Sequence, residues 1–137
     1  MAKEPENEKK PSEVLQEFVD WLKQCQDEYE GSKAIIREEE AKEVDFFHAI
    51  EFETKSKQRS KITTIFHNSL VRRRAAKDRM QILEKVVLFS RKENSKLFFR
   101  ELKRIIKEQE AEEERIYGER EYKPRTDAFG GMQNDPD

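Results

Sequence analysis

Cysteine, glycine, proline and long apolar runs are all scarce in this chain. Its only cysteine, Cys25, rules out an intrachain disulfide and makes a reducing compartment the default expectation. The four glycines, two of them Gly130 and Gly131, leave no glycine-rich phosphate loop. Nucleophile-elbow, paired-cysteine and HExxH sequences are missing too, so neither enzyme activity nor a cofactor is expected. No stretch approaches the roughly 18 apolar residues that a membrane span needs. The opening Met1-Ala2-Lys3-Glu4-Pro5 carries no apolar run either. The expectation is a cytoplasmic protein with no signal peptide and no membrane association.

Charge is what the chain has in abundance. Of 137 residues, 42% are charged and 34% hydrophobic, and the mean hydropathy is -1.08. Such polarity fits either disorder or long, exposed helices. Disorder should be poor in aromatics, yet nine Phe, three Tyr and one Trp occur, most of them between Phe18 and Phe99 at helix-compatible spacings. The expected fold is therefore all-α: a helical hairpin or four-helix bundle with long central helices and a thin core. Association into a homodimer would bury more of the apolar stripe.

A net charge of -2 conceals segregation. Residues 27–53 are rich in acid, including Glu38, Glu39, Glu40, Glu43, Asp45, Glu51 and Glu53. Residues 55–79 are rich in base, from Lys55, Lys57, Arg59 and Lys61 to Arg79. The plain reading is a hairpin whose arms match in charge.

Residues 1–10 read as a flexible tail, 11–118 as the helical domain and 119–137 as an extended, mostly flexible tail. Pro11 and Ser12 mark a first helix through about Glu30, with Val14, Leu15, Phe18, Val19, Leu22 and Cys25 on its apolar face and Gly31 as its stop. Ser32 caps a second helix carrying Ile35, Ile36, Ala41, Val44, Phe47 and Ile50. The apolar-free stretch 53–60 holds a turn. The long arm from about Ser60 to Arg91 carries Ile62, Phe66, Ser69, Arg73, Ala76, Met80, Leu83, Val87 and Ser90 in alternating steps of four and three. Ile65, Leu70, Val86, Leu88 and Phe89 broaden that face. Asn94 caps a fourth helix bearing Leu97, Phe98, Leu102, Ile105 and Ile106. Beyond Lys107 this helix turns polar and runs into solvent or against a second subunit, ending at Tyr117 before Gly118.

Ser69 and Arg73 stand at core-type positions of the long arm. A buried unpaired charge costs several kcal/mol, so Arg73 must snorkel, face a polar cavity or meet a carboxylate. Folding about Ser56 brings it level with Glu38, Glu39 and Glu40. Asp45, His48 and Glu51 lie at i, i+3 and i+6, a spacing that presents His48 and Glu51 to one metal ion if facing helices add ligands. The alternative is a hydrogen-bonded His48 at the hairpin interface. Lys61, Arg72, Arg74 and Arg79 form a basic face whose plainer reading is a set of ion pairs, with nucleic-acid binding as the alternative. Glu40 and Glu43 have half of the acid-pair spacing of all-α nucleotide pyrophosphohydrolases, without an evident second pair.

Three motifs carry a resemblance: Asp45-x-x-His48-Ala49-Ile50-Glu51, then Arg72-Arg73-Arg74-x-x-Lys77-Asp78, then Glu121-Tyr122-x-Pro124-Arg125. In this order and spacing they resemble a group of small uncharacterised prophage and mobile-element proteins of Gram-positive bacteria, over roughly Val14 to Arg125. The resemblance implies a host-cytoplasm setting and gathers Asp45, His48, Glu51, Arg73, Lys77 and Asp78 into one polar layer, with Tyr122, Pro124 and Arg125 as a terminal motif. That layer can fix helix register, hold an anionic ligand such as a nucleotide, or receive an acidic segment of a partner. The expected role is a non-enzymatic accessory protein that modulates a host or phage macromolecule, above all a protein. The alternatives are nucleic-acid binding by the basic face, and metal or nucleotide binding at His48 and Glu51.

Overall fold

The structure, a computed structural model that describes residues 8–130, is all-α. It consists of α1 (Pro11–Ala41), α2 (Glu43–Phe52), α3 (Ser56–Arg91) and α4 (Glu93–Tyr117), with no strand among the described residues. Lys42 alone separates α1 from α2, and it keeps helical dihedrals (φ −80°, ψ −15°), so the chain bends there without reversing. Lys92 alone separates α3 from α4, and its extended conformation (φ −67°, ψ 147°) ends one helix and starts the next. The one reversal is at residues 53–55. Two broken arms therefore lie antiparallel. Glu39 meets Ser69, Gln26 meets Ser90, and Ser12 meets Glu113.

Spacing explains which side chains face inward, since positions three and four apart share one face of a helix. On the first arm the inward line runs Ser12, Leu15, Val19, Leu22, Cys25, Tyr29, Ser32, Ile36 and Glu39, then Glu43, Phe46 and Ile50 of α2; all are buried or half-buried. Two successive steps of three, Val19 to Leu22 to Cys25, shift its register where the facing helix changes from α4 to α3. Every seam position expected on α3, from Ile62 to Ser90, is buried or half-buried. On α4 the inward line is Ser95, Phe99, Leu102, Ile106, Gln109, Glu113 and Ile116. The tightest packing joins Cys25 and Tyr29 to Leu83 and Val87, with Met80 and Val86 against them. Val87 is fully buried, and burying a side chain of its size contributes about 1.5–3 kcal/mol.

Several expectations are corrected. Gly31 does not stop a helix: α1 runs through it, because Cys25, Tyr29, Ser32 and Ile36 continue one packed line across the site. Ser32 accordingly lies inside α1, and the first break comes at Lys42. Ser12 and Asn94 also lie within helices that start from Lys10 and Lys92. Leu97, Phe98 and Ile105 do not supply the inward face of α4 and are exposed. Ile65, Leu70, Leu88 and Phe89 are likewise exposed, so the apolar face of α3 is wider than its partner covers. The end of α4 packs on the start of α1 through Glu113. Residues 118–130 carry no helix; the remainder of the expected tails, residues 1–7 and 131–137, lies outside the described residues.

Gly31 carries a prediction. A Cβ placed there meets nothing within 4 Å, and no glycine of the described residues needs a positive φ. Gly31→Ala should therefore stabilise the protein by about 1 kcal/mol, since glycine is disfavoured inside helices. The urea midpoint is expected to rise at unchanged slope. A fall would show that the backbone at residue 31 is not helical.

Candidate interaction site

Glu39 is the polar centre of the seam. Its side chain is buried, and only the α1 line through Cys25, Tyr29, Ser32 and Ile36 distinguishes it from exposed Glu38 and Glu40. Ser69 donates to its Oε2 at 2.5 Å, Arg72 donates to Oε1, and Lys42 donates to Oε1 at 3.3 Å. The Ser69 hydrogen bond, opposed by burial and joined by Arg72 and Lys42, holds the carboxyl down from 4.5 to about 2. Both oxygens of this buried carboxylate are thereby satisfied. Of the three acids level with the polar gap, Glu39 is the inward one, and Arg72 takes the pairing expected of Arg73.

The ladder of cross-arm ion pairs extends from this network. Arg79 donates to Glu28 through Nε at 2.9 Å, and Arg91 donates to Glu30 at 2.7 Å. Arg72 also lies 3.7 Å from Glu38, Lys77 3.7 Å from Glu40 and Arg73 3.5 Å from Glu43. The Arg79 and Arg91 hydrogen bonds hold Glu28 and Glu30 below the ordinary carboxyl range. Most of these groups are about half exposed, so water screens each pair and its contribution is small.

The contacts split the six residues expected in one polar layer. Arg73 and Lys77 belong to the ladder. His48 sits 3.7 Å from Glu51 and stacks on Phe52 with ring centroids 6.2 Å apart, all on exposed positions of α2. Asp45 and Asp78 are exposed and make no ion pair among the described residues. His48 and Glu51 are two groups where a metal needs more, and no set of three His, Cys, Asp or Glu side chains placed to hold a metal ion occurs among the described residues. Of the basic face, Arg72 and Arg79 are engaged with α1 carboxylates. Lys61 is exposed and makes no ion pair among the described residues, while Arg74 lines an open groove of about 360 Å³ with Lys77, Tyr29, Ile36 and Met80. Tyr122, Pro124 and Arg125 are exposed beyond α4.

At the far end of the seam, Glu113 of α4 reaches the first turn of α1. Its Oε1 accepts from the Ser12 backbone N–H (3.2 Å) and hydroxyl (2.8 Å), while its buried Oε2 has no hydrogen-bond partner among the described residues. A carboxylate at a helix N-terminus also meets the positive end of the helix dipole. Cys25 is buried in the seam, and burial pushes its thiol up, which leaves it unreactive.

The outward flanks add what the inward lines do not use. Val14, Phe18 and Trp21 form a second apolar line on α1, with Phe18 and Trp21 stacked at 6.5 Å. Phe98 and Ile105, one heptad apart, do the same on α4. Both lines are rotated in the same sense from the inward lines of two antiparallel helices, which puts them on one face of the α1–α4 pair. Compared with known family models, curated proteins and solved structures, the chain matches none. Among the described residues no helix is long and apolar enough to cross a membrane.

The Glu39 network has a pH signature. Folding favours the ionised carboxyl, so its contribution is complete above the ordinary value of 4.5 and is lost as pH falls towards about 2. Replacing Glu39 by Gln should lower the melting temperature at neutral pH, with the gap to wild type closing between pH 5 and 2. Carboxylates common to both proteins cancel in that difference. A gap independent of pH would mean that Glu39 does not titrate as the network requires.

Proposed function

We propose that this chain is a non-enzymatic accessory protein of the phage type that docks on another polypeptide and modulates it. The observation that supports this reading is the unpartnered apolar face of Val14, Phe18 and Trp21 on α1 beside Phe98 and Ile105 on α4. Contiguous apolar side chains on a highly charged surface are costly to leave in water, and aromatic anchors carry much of the energy in protein interfaces. Apolar lines on one face of two antiparallel helices suit an amphipathic helix laid along them, anchored at three- and four-residue steps. Glu101, Glu108 and Glu112 lie along the same edge of α4 but already meet Arg104 and Arg115, so the apolar side chains carry this reading.

Nucleic-acid binding is the second reading. It rests on Arg74 and Lys61, because Arg72 and Arg79 already meet carboxylates.

Trp21, the only tryptophan, reports on the proposed face directly. Protein immobilised in an extract of its host should retain a defined polypeptide after nuclease treatment, and the purified partner should shift Trp21 emission to shorter wavelength. Replacing Phe18 and Phe98 together by Ser should abolish retention while leaving helical circular dichroism unchanged. Retention unaffected by this double substitution, or lost on nuclease treatment, would sink the proposal.

A further inference from the structure

The packing of α3 is one-sided. At the hairpin end neither α2 nor α3 before Ala76 has a buried residue, and from Ala76 onwards burial follows the line that faces α1. A second line runs along the opposite side of the helix. Val71, Ala75, Asp78, Ile82, Lys85 and Phe89 follow one another in steps of four and three. At about 100° per residue these steps cancel, so the six positions stay within a band of about 80°, roughly opposite the inward line from Ile62 to Ser90. All six are exposed, Val71 to 55% and Ile82 to 68%. Phe89 remains 46% exposed even with Phe99 against it.

Apolar residues repeating in this way are what a helix needs to pack lengthwise on another helix. Asp78 and Lys85 are the exceptions in the line, and neither makes an ion pair among the described residues. Seven positions apart, about 10 Å along one helix, they do not meet each other. Arg79, on the flank of the line, is turned to Glu28 of α1. The line therefore holds one acid and one base that both lack a counter-ion.

We infer that α3 pairs along this line with α3 of a second copy of the chain, antiparallel. A two-fold contact brings one surface onto itself, so that surface must be self-complementary. The steps of this line read the same in both directions, and an axis level with residue 80 lays it on its own reverse. Val71 then faces Phe89 of the second copy, Ala75 faces the stem of Lys85, and the two Ile82 side chains flank the axis. Asp78 sits beside Ile82 of the second copy and takes Lys85, one helical turn further on, as its counter-ion. That pair forms twice. A parallel pairing would set Asp78 against Asp78 and Lys85 against Lys85, so charge selects the antiparallel one. The contact runs about 27 Å along one pair of helices, at the small end of stable interfaces, so the dimer dissociates on dilution. It leaves the α1–α4 face untouched and stands without the reading of that face.

Light scattering on a sizing column, over a dilution series, tests this pairing. Wild type should approach twice the 16.4 kDa of one chain when concentrated and fall towards one chain when dilute. Ile82→Asp and Asp78→Lys, both at exposed positions, should each run as single chains with helical circular dichroism unchanged. Adding Lys85→Asp to Asp78→Lys should restore the doubled mass, because acid and base have exchanged places across the axis. Phe18→Ser with Phe98→Ser, on the other face, should leave the mass doubled. Direction is read by mixing Val71→Cys with Phe89→Cys under oxidising conditions. A disulfide-linked dimer should form in the mixture and in neither variant alone. A wild type that stays a single chain at every concentration, a doubled mass that survives Ile82→Asp or is lost with Phe18→Ser and Phe98→Ser, an exchange that fails to restore it, or Val71→Cys that cross-links to itself would each overturn the inference.

Discussion

Two antiparallel arms share a single seam, and a single seam can bury only the side chains that lie along it. That constraint explains why the core is so thin for a chain of this length. It also explains the surplus of apolar surface. A helix in the middle of a bundle is covered on two or three sides, whereas α1 is covered along one line by α3 and then α4. Val14, Phe18 and Trp21 are left on one flank of α1, and Phe98 and Ile105 on the matching flank of α4.

A seam with a repeat of seven can also slide. Moving one arm past the other by a heptad keeps apolar residues opposite apolar residues, so hydrophobic burial alone does not choose the alignment. Two buried carboxylates, at opposite ends of α1, do. Glu39 is satisfied when Ser69 and Arg72 stand opposite it, and Oε1 of Glu113 meets its donors at Ser12. Any other register leaves Glu39 in the interface without Ser69 and Arg72 to satisfy it. The polar residues thus contribute alignment more than stability, and the exposed ladder from Arg79 to Arg73 reinforces the same choice.

Much of this was legible from spacing, and the failures have one cause. On α3, the steps from Ile62 to Ser90 identified the inward line residue by residue, because helical geometry alone fixes which positions share a face. The polar gap at Ser69 was visible for the same reason. What the sequence could not supply was the partner of each helix. Gly31 looked like a stop because propensity is local, while the packing of Cys25, Tyr29 and Ile36 that carries the helix through it is not. On α4, Leu97, Phe98 and Ile105 are as hydrophobic as the residues that are buried; only the position of α1 decides between the two apolar lines. Continuing the three-and-four pattern through Gly31 would have singled out Glu39 among its acidic neighbours. The Asp45, His48 and Glu51 spacing was correctly a one-face pattern, but it faces outward, and spacing does not say which way a face points.

The uncovered hairpin end has a consequence for how the chain folds. Closing the reversal at residues 53–55 is the shortest loop available, yet it yields almost no burial, since neither α2 nor α3 before Ala76 contributes a buried residue. The contacts that do bury surface join distant segments: Gln26 and Ser90 are 64 residues apart, and Ser12 and Glu113 are 101. Loop-closure entropy rises only slowly with length, by about 0.6 kcal/mol per doubling, so these longer loops are accessible. The contact that buries most is therefore the meeting of Cys25 and Tyr29 with Leu83 and Val87, well away from the turn.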